Sequence, residues 1–587
     1  MLSVWVGRAG SGKSRRVLEA MEKNRGLRRQ VLLVPEHISH EAEVDLCRAL
    51  GPTASRDAEV LSFRSLSSRV LAETGGLAEF TLDNGGKLLT MRRVLQELAP
   101  ELRVFGRPSQ RASFLRQLTD LMEELYAYEI GPRDLYVHVE DLEGAMGDKL
   151  RDIALLYAAY DARLRNGDMD ARSRLQKLRE HLEHSDYLRG CDVYLDGFSY
   201  FNRQEESILE LVLRQASSVT VTLLGDRGNE QLFQNALRQR MRLERMARRV
   251  GQSMEVLWCE KQGSGPLDHL ERHFFGRETA YEGQAEGIRL YQAATAFTEV
   301  EWVSQQLRQL AAEGYRWREM GVCARNMEVY GPLLESVFRR DGIPAYISRR
   351  SDLLEKPPIT MLLGALDAVT GGFDREDVFR CLKTGLGGIT PDECDILENY
   401  VILWDIRGSA MWLREGDWTA GPDGYGRELT ERSAARLERV NGIRRRVRLL
   451  LEPLYQGMKT ASSARSKAEC LYTFLQEAGV PQALEETAGK LLAENQPQLA
   501  EEYVQLWEIF CGVLDQFVEI LGDTELSGEE FARLLRLVLT QYSVGTIPAT
   551  LDQVKVSEIT RNDRHRVRCL FLSLIHISEP TRRVVIS

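Results

Sequence analysis

The spacing of apolar positions changes repeatedly along the first 75 residues. Short apolar runs at 2–6 and 31–34 predict buried strands, and the amphipathic stretch at 14–23 between them predicts a helix. A third strand candidate covers 59–63. Because a strand, a helix and a second strand form a right-handed crossover unit, this pattern predicts a parallel sheet with helices on its faces.

Two long helical tracts interrupt the α/β pattern. Apolar residues recur three and four positions apart from about 88 to 188, after which strands at 192–195 and 218–224 resume the sheet. A second α/β block begins with a predicted strand at 288–293 and is interrupted by a helical tract at about 374–540. We therefore predict an α/β fold of two cores with inserted helices: a first core at 1–87 and 189–280 with its insertion at 88–188, and a second, incomplete core at 285–373 and 548–572 with its insertion at 374–547.

Composition and charge narrow the class of protein. The 587 residues carry 77 Lys and Arg against 87 Asp and Glu, and 43% of the residues are apolar. These values exclude collagen-like, disordered and small disulfide-rich proteins. No apolar run approaches the ~18 residues that span a bilayer, and the start has no secretory pattern, so we expect a cytoplasmic protein without a membrane partner. Net acidity does not exclude a nucleic-acid groove lined by arginine.

Residues 7–14 read GRAGSGKS and match the phosphate-loop pattern G-x-x-x-x-G-K-[ST] between a predicted strand and a predicted helix. Backbone N–H groups at this loop would cradle nucleotide phosphates, Lys13 would neutralise them, and Ser14 would ligate Mg²⁺. A tight turn without a ligand is the alternative. The candidate ATP-binding residues of the loop are Gly7, Ala9, Gly10, Ser11, Gly12, Lys13 and Ser14.

Asp196 ends the predicted strand at 192–195 and is the candidate second Mg²⁺ ligand; the alternative is a carboxylate that only caps the strand end. The next residue is Gly197. Hydrolysis usually requires a carboxylate there to polarise water, so its absence predicts nucleotide binding with weak or no turnover and no catalytic residue. Glu205 and Glu206 would replace it only with an unusual backbone path.

Six segments of the chain, which occur in the same order as in the family, carry a resemblance to known proteins. The chain resembles superfamily 1 helicases and, more closely, the B-subunit family of AddAB-type ATP-dependent helicase/deoxyribonucleases. The segments are GRAGSGKS (7–14), VLLVPEHISHEAE (31–43), VLSFRSLSSRVL (60–71), YLDGFSYFNRQEESILELVL (194–213), MGVCARNMEVY (320–330) and IPATLDQVKVSEITRNDR (547–564).

The resemblance implies two RecA-like, UvrD-like P-loop cores in a subunit that works with an A subunit on single- and double-stranded DNA during repair of double-strand breaks. It implies nucleotide roles for Lys13, Ser14 and Asp196, and a phosphate-sensing role for Arg325, for which a plain surface arginine is the alternative. Gly197 and Ser199 stand where active helicases have glutamate and glutamine, which implies a degenerate motor. The rival interpretations are an autonomous ATP-driven superfamily 1 helicase and, with less support, a small-molecule kinase.

Candidate DNA contacts lie beyond the predicted strands of the first core: His37, Ser39, Phe63 and Arg64. Phe63 would stack on a base and Arg64 would contact a phosphate, while core packing is the alternative for Phe63. The basic run at 436–448 and the tryptophans at 404, 412 and 418 also invite a DNA interpretation. We favour a solvated helix face for the run, because acidic residues accompany it, and packing for the tryptophans.

The family implies a continuation after residue 572, with a nuclease domain and an iron-sulfur cluster. This chain instead ends in SLIHISEPTRRVVIS (573–587), which resembles translated sequencing-adapter read-through. We therefore expect a non-native tail, a truncated chain and no nuclease chemistry in this fragment, with a short native C-terminus as the alternative.

Overall fold

The computed structural model is mostly helical, with parallel sheets. It describes residues 1–51, 53–75, 82–106, 112–139, 144–166, 174–229, 231–261, 263–273, 279–347, 351–426, 430–494, 496–544, 552–559 and 567–573, so the predicted tail lies outside the described residues apart from Ser573. The helices are α1 (Lys13–Lys23), α2 (Ser39–Leu50), α3 (Phe63–Thr74), α4 (Asn84–Leu98), α5 (Ala112–Ala127), α6 (Pro132–Val139), α7 (Gly144–Asn166), α8 (Arg174–Leu182), α9 (Arg203–Gln215), α10 (Gln234–Arg249), α11 (Pro266–His273), α12 (Ala296–Ala312), α13 (Met327–Arg340), α14 (Pro357–Thr370), α15 (Arg375–Leu382), α16 (Pro391–Leu403), α17 (Ser409–Trp412), α18 (Glu431–Thr460), α19 (Ala464–Glu477), α20 (Val480–Ala493), α21 (Pro497–Gln516) and α22 (Gly528–Leu539).

The first sheet has six strands in the order β3-β2-β4-β5-β1-β6, and every neighbouring pair is parallel. Its strands are β1 (Leu2–Gly7), β2 (Gln30–Leu33), β3 (Ala58–Leu61), β4 (Asp192–Leu195), β5 (Ser218–Leu224) and β6 (Met254–Trp258). Strands β2 and β4 are buried along their whole length, as parallel strands covered on both faces require. The predicted parallel sheet is confirmed, and all its carboxyl ends meet at one edge.

The second sheet has four parallel strands in the order β12-β7-β11-β8. Its strands are β7 (Met320–Ala324), β8 (Ala345–Ile347), β11 (Val554–Glu558) and β12 (Cys569–Leu572); β9 (Ser351–Asp352) and β10 (Ser543–Val544) form a separate antiparallel pair. The strand predicted at 288–293 is wrong. These residues form no ladder, and Leu290 is 88% exposed while Tyr291 stacks on Trp302 of α12. Apolar side chains predicted a strand there, but a strand also needs a neighbour with free backbone groups.

The largest core lies among the helices and not between the sheets. Buried residues from α4, α5 and α7 form one continuous cluster with buried residues from α14 to α22. The two tracts that the sequence predicts as separate insertions therefore share one hydrophobic core. Leu178 and Leu182 of α8 pack instead in the core of the first sheet, although they lie within the tract predicted as the first insertion.

In the part of the chain that the structure describes, no helix combines the length and the apolar character needed to cross a bilayer.

Candidate nucleotide site

The phosphate-loop pattern lies where the sequence predicts it, at the carboxyl end of β1. The strand ends at Gly7, and α1 begins at Lys13. Gly10 and Gly12 adopt φ values of +74° and +82°, which side chains with a Cβ disfavour. No side chain caps the start of α1, and its first turn contains no acidic residue. The N–H groups at this helix start therefore face the loop without a side-chain acceptor, which suits an anion.

The side chain of Lys13 folds back over the loop. Its ammonium nitrogen lies 2.7 Å from the carbonyl oxygen of Gly7 and 2.8 Å from that of Arg8, to which it donates hydrogen bonds. Burial lowers the pKa of Lys13, and the negative charge of Asp196 partly opposes that shift. The ammonium is thus held inside the loop and within electrostatic reach of the carboxylate at the end of β4.

Asp196 directly follows β4 and is 2% exposed. Its carboxylate accepts a hydrogen bond from the hydroxyl of Thr222 on β5. On the other side of β5, the N–H of Gly225 donates to the carbonyl oxygen of Gly7 at 3.1 Å. Because β4 and β1 flank β5 in one parallel sheet, Asp196 and the phosphate loop lie at the same edge, two strand spacings apart.

The residues at this edge fit a magnesium nucleotide by the chemistry of their donors. The Ser14 hydroxyl and the Asp196 carboxylate offer hard oxygen ligands, which Mg²⁺ prefers, while the loop offers N–H groups and an ammonium to phosphate. The described residues contain no group of three or more His, Cys, Asp or Glu side chains that could hold a metal by themselves.

The position next to Asp196 has a backbone suited to glycine. Gly197 has φ +85°. The two glutamates farther along the chain have structural partners: Glu205 accepts the N–H of Asn202 at 2.9 Å in a capping box, and buried Glu206 pairs with Arg242 at 3.0 Å. Burial raises the pKa of Glu205, and the Asn202 backbone contact opposes that shift.

Sequence reasoning missed an ionic cluster beside the loop. Arg8, which is 12% exposed, donates from Nε to Asp226 at 2.6 Å and from a terminal nitrogen to the carbonyl oxygen of Glu271 at 3.0 Å. Burial would raise the pKa of Asp226, but hydrogen bonds from the Gly228 N–H and from Arg8 lower it overall. Lys261 completes the cluster beside Glu271. The conspicuous GDRGN segment at 225–229 could have signalled Asp226, whereas nothing local marks Lys261.

Arg325 lies in the α/β part of the molecule that contains the second sheet. It is exposed and directly follows β7, at the carboxyl edge of the second sheet. An ion pair of 2.7 Å between Lys555 of β11 and Glu41 of α2 joins the two α/β parts of the molecule. The predicted phosphate-sensing role of Arg325 remains a prediction.

The candidate DNA residues occupy the same edge of the first sheet but differ in exposure. Phe63 is 6% exposed and packs edge-on against Phe198 at a centroid distance of 5.5 Å, so stacking on a base would require it to leave the core. The structure favours the core-packing alternative for Phe63. Arg64 is exposed and pairs with Glu36 at 3.4 Å.

His37 is exposed, and the Ser39 hydroxyl donates to the Glu36 carbonyl oxygen at 2.8 Å. An aromatic ring that the sequence analysis did not select does face solvent: Tyr200 is 69% exposed, on the loop that follows Asp196. Phe198 and Phe201 on either side of it point into the core, with their centroids 5.0 Å apart. Ser199 and Tyr200 are both exposed between these two buried rings, and no regular local pattern of residues marks Tyr200 as the exposed ring.

The basic run at 436–448 is largely neutralised by acidic neighbours. Arg436 pairs with Asp423, Arg445 with Asp417 and Glu438, and Arg446 with Glu393. Arg444 is buried and donates to the backbone carbonyl oxygens of Arg414 and Gly416. The predicted solvated helix face fits the exposed, paired arginines of the run, but it is wrong for Arg444, which is 1% exposed.

Two of the three conspicuous tryptophans, Trp412 and Trp418, are buried in the helical core. Trp404 is partly buried against the same core and donates from its indole N–H to the carbonyl oxygen of Gly421 at 3.1 Å. The predicted packing role of these tryptophans is confirmed.

The chain is similar to known proteins over almost its whole length. Residues 4–271 match a family model described as "ADDB, N-terminal". The chain is 34% identical over 97% of its length to the B subunit of the ATP-dependent helicase/deoxyribonuclease of Desulforudis audaxviator, and 31% identical over 96% to its namesake from Acetivibrio thermocellus. A third B subunit, from Pelotomaculum thermopropionicum, is 34% identical over 97% of the chain. In each case the chain spans about half of the relative, 51% of its length.

Proposed function

Because this chain belongs to the B-subunit family of ATP-dependent helicase/deoxyribonucleases, we propose that it is the ATP-binding, DNA-engaging part of such a protein. It works with an A subunit in a heterodimer that processes double-strand breaks for recombinational repair. The names of the relatives support this role, since each name designates the B subunit of an ATP-dependent enzyme. Co-purification of the full-length protein with an A subunit tests the partnership, and a protein that remains alone at micromolar concentration would contradict it.

One observation carries the nucleotide assignment: the phosphate loop with Lys13 and the buried carboxylate of Asp196 lie at the same edge of a parallel sheet. In this proposal the loop N–H groups bind the phosphates, Lys13 neutralises their charge, and Ser14 and Asp196 hold the magnesium ion. The bound Mg²⁺ supplies charge neutralisation for the triphosphate. We assign Arg325, which follows β7 of the second sheet, as a further phosphate contact.

The two parallel sheets support an assignment as two RecA-like P-loop cores of the UvrD-like, superfamily 1 type. The first comprises residues 1–87 and 189–280, and the second comprises 285–373 and 548–572. Helical regions at 88–188 and 374–547 are the insertions, which in this chain share a core.

Weak or absent hydrolysis is the second part of the proposal. A water molecule attacking the terminal phosphate needs a carboxylate to orient and polarise it. The chain has Gly197 next to Asp196. The two glutamates at the start of α9 already have partners: Glu205 accepts the N–H of Asn202, and Glu206 pairs with Arg242 of α10. Nucleotide binding then serves to set the conformation of this protein, while the A subunit supplies most of the motor activity.

Replacement of Lys13 tests the nucleotide site. Lys13→Ala should weaken binding of a fluorescent ATP analogue by ~10- to 150-fold, because a buried charge-assisted contact is lost. Lys23→Ala is the matched control, since Lys23 is an exposed lysine at the far end of the same helix. Equal binding by both variants would contradict the site. Robust DNA-stimulated hydrolysis abolished by Lys13→Ala would instead favour the autonomous helicase.

Tyr200 tests the DNA side of the proposal. We expect Tyr200→Ala to weaken binding of a single-stranded oligonucleotide by about 5- to 150-fold, because stacking on an aromatic ring contributes ~1–3 kcal/mol per base. Tyr128→Ala is the control, since Tyr128 is also well exposed, at 61%. Fluorescence anisotropy at fixed salt measures both. Equal affinities of the two variants for the oligonucleotide would show that Tyr200 does not contact DNA.

A further inference from the structure

The chain after β6 runs alongside the phosphate loop. The N–H of Cys259 donates to the carbonyl oxygen of Val6 at 2.7 Å, and a Cβ added to Gly7 would lie 2.4 Å from the carbonyl oxygen of Cys259. Two residues later, Lys261 reaches the loop itself. A Cβ added to Gly10 would lie 3.5 Å from its Cε and 3.8 Å from its Nζ, so a second lysine ammonium lies against the loop.

Two carboxylates on α11 hold this second ammonium. Its nitrogen lies 3.1 Å from Oδ1 of Asp268 and 3.8 Å from Oε2 of Glu271. The longer distance exceeds that of a hydrogen bond, and Oε2 of Glu271 is buried without a hydrogen-bond partner among the described residues. Lys261 is therefore well paired with Asp268 and incompletely paired with Glu271. A ligand that carries more negative charge can compete for such a cation.

Arg8 in the same cluster is fixed far more firmly. Its guanidinium donates hydrogen bonds to the Asp226 carboxylate and to the backbone carbonyl oxygen of Glu271, and its side chain is 12% exposed. Arg8 thus anchors α11 to the loop while Lys261, on a flexible four-carbon stem, retains freedom to change partners.

We propose that Lys261 is a second phosphate-binding residue of the nucleotide site. Its ammonium pairs with Asp268 and Glu271 until a nucleotide binds, and it then pairs with the nucleotide phosphates instead. This inference rests on the proposed nucleotide site. Its consequence is that α11 lowers nucleotide affinity, because the phosphates must displace the Asp268 carboxylate from Lys261. Asp268 is accordingly a positioning residue whose loss should strengthen binding.

Equilibrium binding of a fluorescent ATP analogue to the full chain tests the exchange. Lys261→Met should weaken binding roughly tenfold, the effect of one lost charge-assisted contact. Asp268→Asn, which releases Lys261 without removing bulk, should strengthen binding several-fold. The double variant should bind like Lys261→Met alone, because in this proposal Asp268 changes nucleotide affinity through Lys261. The other contact of Asp268, in which Oδ2 accepts the N–H of Gly265 at 3.3 Å, lies at the start of α11, and asparagine keeps an acceptor there. Lys459→Met, on α18, is the control and should leave affinity unchanged.

The opposite changes in nucleotide affinity expected for Lys261→Met and Asp268→Asn distinguish phosphate binding from a merely structural role. If Lys261 only ties α11 to the loop, both single variants break the same ion pair and both weaken binding, which overturns the inference. Unchanged affinity in Lys261→Met also overturns it. Absence of wild-type binding, or binding insensitive to Lys13→Ala, overturns the proposed nucleotide site and this inference with it. Circular dichroism melting of each variant verifies that the binding changes occur in folded protein.

Discussion

Gly197 shows at the scale of one residue how backbone conformation limits the chemistry next to Asp196. With φ at +85°, this position disfavours any residue that carries a Cβ. The missing carboxylate therefore reflects more than a change of side chain, because the backbone path that leaves β4 is itself suited to glycine. Restoring a glutamate in the sequence would not restore the geometry in which it could polarise water.

We predict that Gly197→Glu lowers stability by ~1–2 kcal/mol and gives no gain in ATP hydrolysis. Gly197→Ala should lower stability by about the same amount, since the backbone strain arises from the Cβ. Gly197→Asn should cost less, because asparagine tolerates positive φ better. Thermal unfolding and a phosphate-release assay provide the measurements. A stable Gly197→Glu variant that hydrolyses ATP would show that only the side chain was missing.

At the scale of elements, the first turn of α4 determines how closely the two helical tracts approach. A Cβ on Gly85 would lie 2.7 Å from the Tyr542 hydroxyl and 2.9 Å from a methyl of Val538 on α22. The Tyr542 hydroxyl donates to Asp83, the cap of α4, and burial together with this carboxylate raises the pKa of Tyr542. The small residues at the start of α4 therefore allow α22 and the segment after it to pack directly against α4.

Gly85→Ala should destabilise the protein by ~1–3 kcal/mol, because the added methyl overlaps atoms on two neighbouring side chains. Gly489→Ala is the matched control, since Gly489 lies within α20 and a Cβ there would have no atom within 4 Å. That variant should gain ~0.5–1 kcal/mol from helix propensity. Calorimetric unfolding compares them. Equal shifts in both variants would mean that α4 and α22 do not pack as closely as described.

At the scale of the whole molecule, the shared helical core links parts of the chain that are far apart in sequence. Leu89 of α4 and Leu535 of α22 are both fully buried in it. An ion pair between Arg92 and Glu530 at 3.2 Å reinforces the contact. The two tracts should consequently unfold as one cooperative unit, separate from the core of the first sheet.

Leu89→Ala should remove ~2–5 kcal/mol of stability and reduce amide protection in both tracts, at 84–166 and 357–539. Leu209→Ala, on α9, is the reciprocal control, because Leu209 is buried in the core of the first sheet. Its effect should be confined to that sheet. Hydrogen exchange followed by mass spectrometry distinguishes the regions. Loss of protection in only one helical tract would contradict a common core.

The sequence predicted the α/β elements well where local pattern and sheet burial agree, as in β4 and β5, whose bounds match the predicted strands. It missed β6, where half-buried and exposed positions alternate and no residue is fully buried, and it predicted a strand at 288–293 that has no ladder. Strand pairing depends on a neighbour that is distant in the chain, so local pattern alone could not separate these two cases.

The sequence by itself determined the phosphate loop, since the glycines, Lys13 and the strand and helix around them are encoded within the 22 consecutive residues 2–23. Only the tertiary structure decided which side chains join that loop. Asp196 reaches it from across β5, Lys261 reaches it after β6, and Phe63 turns into the core while Tyr200 faces solvent. The physical reason is that burial and ion pairing depend on atoms brought together from distant segments, and no local spacing of residues specifies those distances.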